Sequence, residues 1–331
     1  MNGRRTRLLD DYYELRESGS TSDFPNILGN LMYRSLIDWA RTIPDVWRSY
    51  SAIGDATDFR PLTRIVGNEA EDLVQVLEDG GYVDSKLGDA KYQVQLNTYG
   101  RAFSINRNVV INDDLGYIKQ QPKRFGKSAA RSIANFGAVT LLEGNGTTFD
   151  GVALFHATHA NLDTGAGSVI SSANIQKGIS GLQDQTVLNT FISVAAKWLL
   201  VPTQLQWTAR QILNSAIIVA TGGDATIGVA AIQLGNKNVL DGALGLVIDP
   251  FLASATGYYV LADPSDVPVI DIVFLNGKQT PDLLIEKPTY MNLAGGDDPY
   301  EYEYDILRYK VRYDYGGATS LWWGGYKFNG A

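Results

Sequence analysis

The chain has no cysteine among its 331 residues, so neither disulfides nor thiolate metal sites contribute to its stability, and its fold is indifferent to redox compartment. Histidine is scarce too. His156 and His159 are the only two, which leaves one place in the sequence where an imidazole base or ligand is available. No apolar run approaches the ~20 residues that span a bilayer, and the start MNGRRTRLLDDYYELRESG lacks the apolar core of a secretory signal. Both absences read as a soluble protein made in a cytoplasm. No self-similarity recurs at a period of roughly 20–50 residues, so solenoids and propellers are excluded. Positive charge is in the minority, with 28 Lys and Arg against 36 Asp and Glu and a net charge of -8, so the surface as a whole is not a nucleic-acid footprint. The one local exception is Arg4, Arg5 and Arg7, which read as a solvated chain end.

What is present is ordinary globular material: 45% hydrophobic and 19% charged residues, enough to bury a core and to divide into two or more subdomains. The segment with the clearest period runs over residues 112–143. Asp113 or Asp114 can cap a helix whose first turn begins near Leu115. Phe125, Ala129, Ile133, Phe136 and Thr140 recur at three-to-four-residue spacing on one side, and Lys123, Arg124, Lys127 and Arg131 fill the other. Pro122, without an amide proton, is expected to kink or restart the helix, and Gly144-Asn145-Gly146 to end it. The spacing predicts a long helix over residues 115–143 that other elements pack across.

The remaining chain alternates arms and strands. Residues 1–55 carry apolar bulk at Leu31, Ile37, Trp39 and Trp47 without a closed pattern, so they need another surface. Residues 58–108 read as an extended hairpin, with a turn signal at residues 78–81 and alternating apolar and polar residues from Tyr92 onward. Its acidic tip (Glu69, Glu71, Asp72, Glu78, Asp79, Asp84, Asp89) leaves it little apolar area of its own, and such a ribbon is marginal alone. Residues 147–170 read as a glycine-rich loop and 186–197 as a short helix. A buried strand then passes through Pro202 into a helix near Thr203. Strands follow over residues 217–229, 244–249, 258–262 and 269–275, and the C-terminal part reads as two alternating arms about a turn at Gly316-Gly317. The fold class is α+β.

Candidate chemistry is thin. Gly126-Lys127-Ser128 resembles the end of a phosphate loop, but the required glycine five residues earlier is Gln121 and the segment is helical, so Gly126 reads as a close-packing position. His156 and His159 with Asp150 and Asp163 offer metal-ligand types, or the base of a metal-dependent hydrolase, without an HExxH context or a nucleophile elbow. Loop residues bonded to backbone are the plainer reading. Gly295-Gly296-Asp297-Asp298 lacks the glutamate and spacing of a calcium loop, and the carboxylate pairs Asp10-Asp11, Asp113-Asp114 and Asp297-Asp298 sit at caps and turns. No catalytic, cofactor-binding or metal residue is assigned, and the chain reads as a non-enzyme.

Four stretches, taken in order, carry a resemblance: FRPLTRIVGNEAEDLVQVLEDGGYV, then YQVQLNTYGRAFSINRNVVINDDLG with the helix after it, then FHATHANL, then the C-terminal series from VIDPFL to YDILRYKVRYDYGGATSLWWGGYKFNG. Their order resembles the major capsid proteins of tailed phages with the HK97 fold, within them the Mu-like major head subunits. The resemblance implies an N-terminal arm (1–57), an extended β-hairpin loop (58–108), a peripheral domain (109–185) with a spine helix (115–143), an axial domain (186–280) and return strands (281–331). It implies a structural subunit that assembles with itself into hexamers and pentamers of an icosahedral head around double-stranded DNA, put together in the host cytoplasm. Scaffolding, portal and decoration proteins are its implied partners, and no cofactor is. About twenty residues precede the arm-like sequence, so any scaffolding segment is separate, absent or removed. Cross-linking in some relatives uses a loop lysine; Lys86 and Lys91 lie in the right stretch, with no identifiable partner. An encapsulin-like compartment is the alternative within the same fold, distinguished by protein cargo instead of DNA.

Overall fold

The computed structural model describes residues 25–67, 75–76, 80, 89–108, 117–187, 190–215, 217–219, 235–286, 301 and 303–330. The N-terminal arginines, the cap at Asp113 or Asp114, most of the acidic hairpin stretch including Lys86, the strand continuation beyond Val219 and the turn at residues 295–298 lie outside the described residues. The chain forms two compact units. One comprises residues 1–44, 98–131 and 278–314, the other residues 45–97, 132–277 and 315–331.

In the first unit, helix α1 (Pro25–Ala40) crosses helix α2 (Tyr117–Asn135) at Gly126. A Cβ on Gly126 would lie 2.3 Å from the Leu36 carbonyl oxygen, so only glycine lets the two backbones approach this closely. This is the close-packing position that the sequence suggests. Helix α2 runs through Pro122 without restarting. The proline sits one and a half turns in, where it removes one backbone hydrogen bond and buries its ring. The small core of this unit is Ile105, Leu307 and Tyr309, with Phe103 stacked between Phe125 (centroids 4.4 Å apart) and Tyr309 (5.1 Å). These rings come from strands β3 (Asp89–Asn106) and β14 (Ile306–Thr319) and from α2. Strand β13 (Asp282–Ile285) pairs antiparallel with β14, Asp282 opposite Arg312.

The second unit begins with a 3-10 turn (Val46–Ser49) and β1 (Ser51–Ala56), which pairs in parallel with β12 (Ile270–Leu275). Strand β2 (Leu62–Gly67) pairs antiparallel with the start of β3 as a ribbon, Leu62 opposite Val94. The order is β1-β12-β14-β3-β2, sealed by Ala56, Val94, Leu96 and Val273. Here the structure departs from the sequence reading. Gly316 and Gly317 are not a turn but lie inside the continuous strand β14, because a Cβ on Gly316 would meet Gln95 O at 1.9 Å and one on Gly317 would meet Asp271 O at 2.7 Å. The glycines serve close backbone approach on both sides.

Where the long helix enters this unit it changes type: residues Phe136–Glu143 form a π-helix, with Leu142 and Ala138 fully buried. Gly144 ends it in an ordinary helical conformation, and the left-handed residue is Asn145, at φ 50°. Asparagine occupies that region because its side chain bonds locally, here to both the Phe155 amide and its carbonyl.

A five-stranded sheet completes the unit, in the order β10 (Gly245–Ile248), β7 (Ala196–Val201), β11 (Tyr258–Ala262), β15 (Gly325–Phe328), β4 (Leu162–Asp163). Helix α3 (Ser172–Gln183), capped by Ser171 on Asn174 N, lies on it with Gly178 against Val260 and Phe328. The short helix expected over residues 186–197 is instead the strand pair β5 (Thr186–Val187) and β6 (Thr190–Phe191) leading into β7. Beta-branched Thr186, Val187 and Thr190 favour the extended form. Helix α4 (Gln206–Asn214) follows a 3-10 turn at Thr203, as the Pro202 signal suggests. Strands β8 (Ile217–Val219) and β9 (Gly235–Lys237) pair separately.

Candidate functional site

The two histidines belong to a loop that closes on itself. His156 accepts from the Thr158 amide at 3.1 Å and opens the 3-10 turn Ala157–His159. His159 is buried, with Nε2 2.7 Å from an Asp150 carboxylate oxygen and its ring stacked 4.3 Å from Trp322. Thr148 donates to Asp150, and hydrogen bonds from Thr148, Val152 and His159 hold that carboxyl below its usual range against the cost of burial. Asn161 ties the loop down by donating to the carbonyls of Leu154 and Trp322. Asp163 turns away to Lys177 at 2.6 Å. The four groups that the sequence brought together as ligand types therefore split into a histidine–carboxylate hydrogen bond, an ion pair with Lys177 and a cap. Among the described residues no cluster of three or more metal-ligand side chains forms. The geometry is that of a latch on the C-terminal Trp322.

A second polar cluster anchors the end of the π-helix. Glu143 accepts from the amides of Ala253 and Ser254 at 2.8 and 2.9 Å, and the Tyr50 hydroxyl donates to Asp249 at 2.6 Å. Asp249 is almost fully buried. Burial pushes its carboxyl up, the hydrogen bonds from Tyr50 and the Phe251 amide oppose that, and the Glu143 carboxylate adds to the rise.

The third lies at the root of the hairpin. Arg64 of β2 lies across Gly54 of β1, where a Cβ would come 2.4 Å from its guanidinium, and donates through Nε to Asp271 of β12 at 3.2 Å. Tyr92, opposite Arg64 on β3, points its hydroxyl at the same carboxylate over a longer 3.4 Å. Asp271 is buried, which pushes its carboxyl up, while Arg64 pulls it down. The clamp fixes the direction in which the ribbon leaves the sheet. It borders a cleft of ≈ 700 Å³ whose far side holds Lys197, paired with Asp263, and Trp198.

Beyond that root the ribbon keeps apolar side chains in water. Ile65 is 73% exposed and Lys91 opposite it is exposed as well, while Phe59, in the bend that leads into β2, is 45% exposed. At another edge of the same unit Trp207 is 69% exposed under Arg210, and Val239 71%. Of the clamp and ribbon residues, sequence reasoning singled out Lys91, as a loop lysine, and Tyr92, as the start of an alternating strand, but not the clamp they adjoin. The available signal was Arg64 itself, an arginine in phase with Leu62 and Val66 on the inward face of a strand.

The arrangement supplies clamps, latches and uncovered surface. Sequence comparison decides what they serve: the Phage capsid protein family matches residues 90–328. The chain belongs to that family. It is a major capsid subunit of the tailed-phage kind with an HK97-like α+β fold, a structural protein of the virion shell that assembles with copies of itself, and not an enzyme. No curated protein sequence matches it. Among solved structures, this capsid subunit is similar to a protein chain from Mycobacterium phage Patience at 13% identity, covering 92% of this chain and 87% of the other with a TM-score of 0.54. It is also similar to one from Mycobacterium phage Adephagia (11% identity, 86% and 87% covered, TM-score 0.50) and one from Gordonia phage Cozz (10%, 85% and 85%, 0.50). At such identities these likenesses speak for the fold.

Proposed function

We propose that the subunit builds hexamers and pentamers of an icosahedral head that encloses double-stranded DNA, and that its hairpin ribbon is an assembly contact laid on a neighbouring copy. The observation that carries this reading is Ile65, an isoleucine left 73% in water on a ribbon whose root is clamped by Arg64 and Asp271. A stiffly aimed strand pair with an uncovered apolar face is suited to dock on a partner already shaped for it. In assembly terms residues 1–57 act as the arm, 58–108 as the extended loop, 109–185 and 281–331 as the peripheral domain and 186–280 as the axial domain. The order of matching stretches supports placement with the Mu-like head subunits. Portal, scaffolding and decoration proteins complete the head, which is put together in the host cytoplasm.

Negative-stain electron microscopy with mass photometry on the purified protein tests this. Closed shells, or rings of five and six, are expected. A uniform particle at the 36.1 kDa chain mass, persisting at high concentration with scaffold supplied, overturns it. Shells recovered from infected cells filled with protein instead of nuclease-protected DNA replace it with the cargo-compartment alternative.

A further inference from the structure

Residues 117–142 contain five cations, at Lys119, Lys123, Arg124, Lys127 and Arg131, and no carboxylate, in a chain whose net charge is -8. Such segregation is not a by-product of composition. On an α-helix the steps from residue 123 to 127 to 131 each advance about one turn, or about 6 Å, along one stripe. Lys127 and Arg131 are exposed and Lys123 half-exposed. Among the described residues none of these three has a carboxylate within ion-pair distance. The ammonium groups of Lys123 and Lys127 both sit 4.9 Å from the centre of the Trp39 ring. That shared ring holds the two charges side by side, so less side-chain entropy is lost when an anion arrives.

The apolar side chains of the same helix are already used. Pro122 is buried and Phe125 is stacked on Phe103. What the stripe offers outward is charge without apolar anchors, which suits a polyanion better than a folded protein partner, whose contacts concentrate on buried aromatic and aliphatic anchors.

We propose that this stripe, Lys123, Lys127 and Arg131 with Trp39 beneath it, is a lumenal contact for the phosphate backbone of the enclosed DNA, without sequence preference. It rests on the reading that the head encloses DNA. A repeated weak contact of this kind gives an otherwise acidic shell a defined place for the outer layer of the genome, and counterion release sets its strength.

Fluorescence anisotropy of the full-length protein with a short DNA duplex is the first test. Three phosphate contacts predict a slope of log K against log salt of about -2.7, a loss of about 40-fold between about 50 and 200 mM salt. The triple variant K123Q/K127Q/R131Q, with unchanged thermal melting, should lose binding at low salt and shed that part of the slope. Equal affinity and slope in variant and parent overturns the proposal. So does a variant that binds DNA like the parent yet no longer forms shells, which would assign the stripe to a protein contact. The second test needs no variant: lysine acetylation of intact heads, read by mass spectrometry. Lys123 and Lys127 should be protected in DNA-filled heads and modified in emptied ones, and equal modification in both overturns the proposal. Whether any DNA is enclosed is answered separately by nuclease protection, so failure of the stripe and failure of the DNA-filled head are told apart.

Discussion

Strands β11 and β2 belong to the same compact unit and are of similar length, yet every residue of β11 is buried while β2 alternates half-buried and exposed positions, with Ile65 in water. β11 is completed by its own chain: β7 and β15 pair on either side, and α3 covers it through Gly178 on Val260. β2 has one partner strand, and its outward face has no cover among the described residues. The difference separates what stabilises the subunit from what is left for the assembly to stabilise. Burying an apolar side chain is worth roughly 1.5–3 kcal/mol; β11 gains this inside the subunit, whereas under the proposed assembly Ile65 of β2 gains it only between subunits.

Substitutions graded by their effect on the lone subunit can break or sharpen this contrast. Val260→Asp places an unpaired carboxylate among Tyr258, Phe328 and α3, and no soluble folded subunit is expected, as judged by circular dichroism and size-exclusion chromatography. A well-folded V260D protein would mean that β11 is not the completed strand it is taken to be. Gly316→Ala is next. Its methyl group meets backbone, which cannot swing away, so a loss of about 3 kcal/mol in denaturant unfolding is expected, at the upper end for overpacking.

Asp249→Asn has a smaller, pH-dependent effect. Burial raises the native carboxyl above its usual 3.8, so the native state holds the proton more tightly than the unfolded chain and the group favours folding most at low pH. As pH rises from about 4 through that raised value the contribution is lost. The D249N subunit keeps the acceptor for Tyr50 and has no proton to lose, so melting temperature should fall less for it than for the parent between pH 4 and 7. Ile65→Asp is expected to move subunit stability by no more than about 0.5 kcal/mol, the range for exposed sites. Shells should nevertheless disappear from electron micrographs. Normal shells from I65D would remove the ribbon from the assembly contacts.

Local signals carried the sequence reading far wherever they agreed with tertiary demand. Periodicity located α2, Gly126 marked its close crossing, and Pro202 marked the strand-to-helix switch into α4. They failed where a distant backbone sets the requirement. Gly316-Gly317 spells a turn in isolation, but its meaning is fixed by Gln95 and Asp271 pressing from both sides. α3 escaped notice because Gly178 and Gly181 each lower helix propensity by about 1 kcal/mol, and the reason for them is the ring of Phe328 or Tyr326 lying against each. The π-helix has no local signature in Phe136–Glu143. Of the candidate sites, the histidine loop was visible as residue types and became a latch only through Trp322, while the Arg64–Asp271 clamp joins residues 207 apart and its one local trace is an arginine on the inward face of a strand.

The parallel register of β1 with β12 sets Ser51 beside Ile270 and Ala56 beside Leu275. A chain emerging from the ribosome must therefore hold an early strand in waiting until most of its length has been made. Contacts of such sequence separation form late and slowly. The Arg64 clamp closes on Asp271 of that same late strand, so the ribbon is not aimed until synthesis is nearly done. A half-made subunit therefore lacks an aimed ribbon, and if the ribbon docks on a neighbour as proposed, such a subunit is a poor template for joining others.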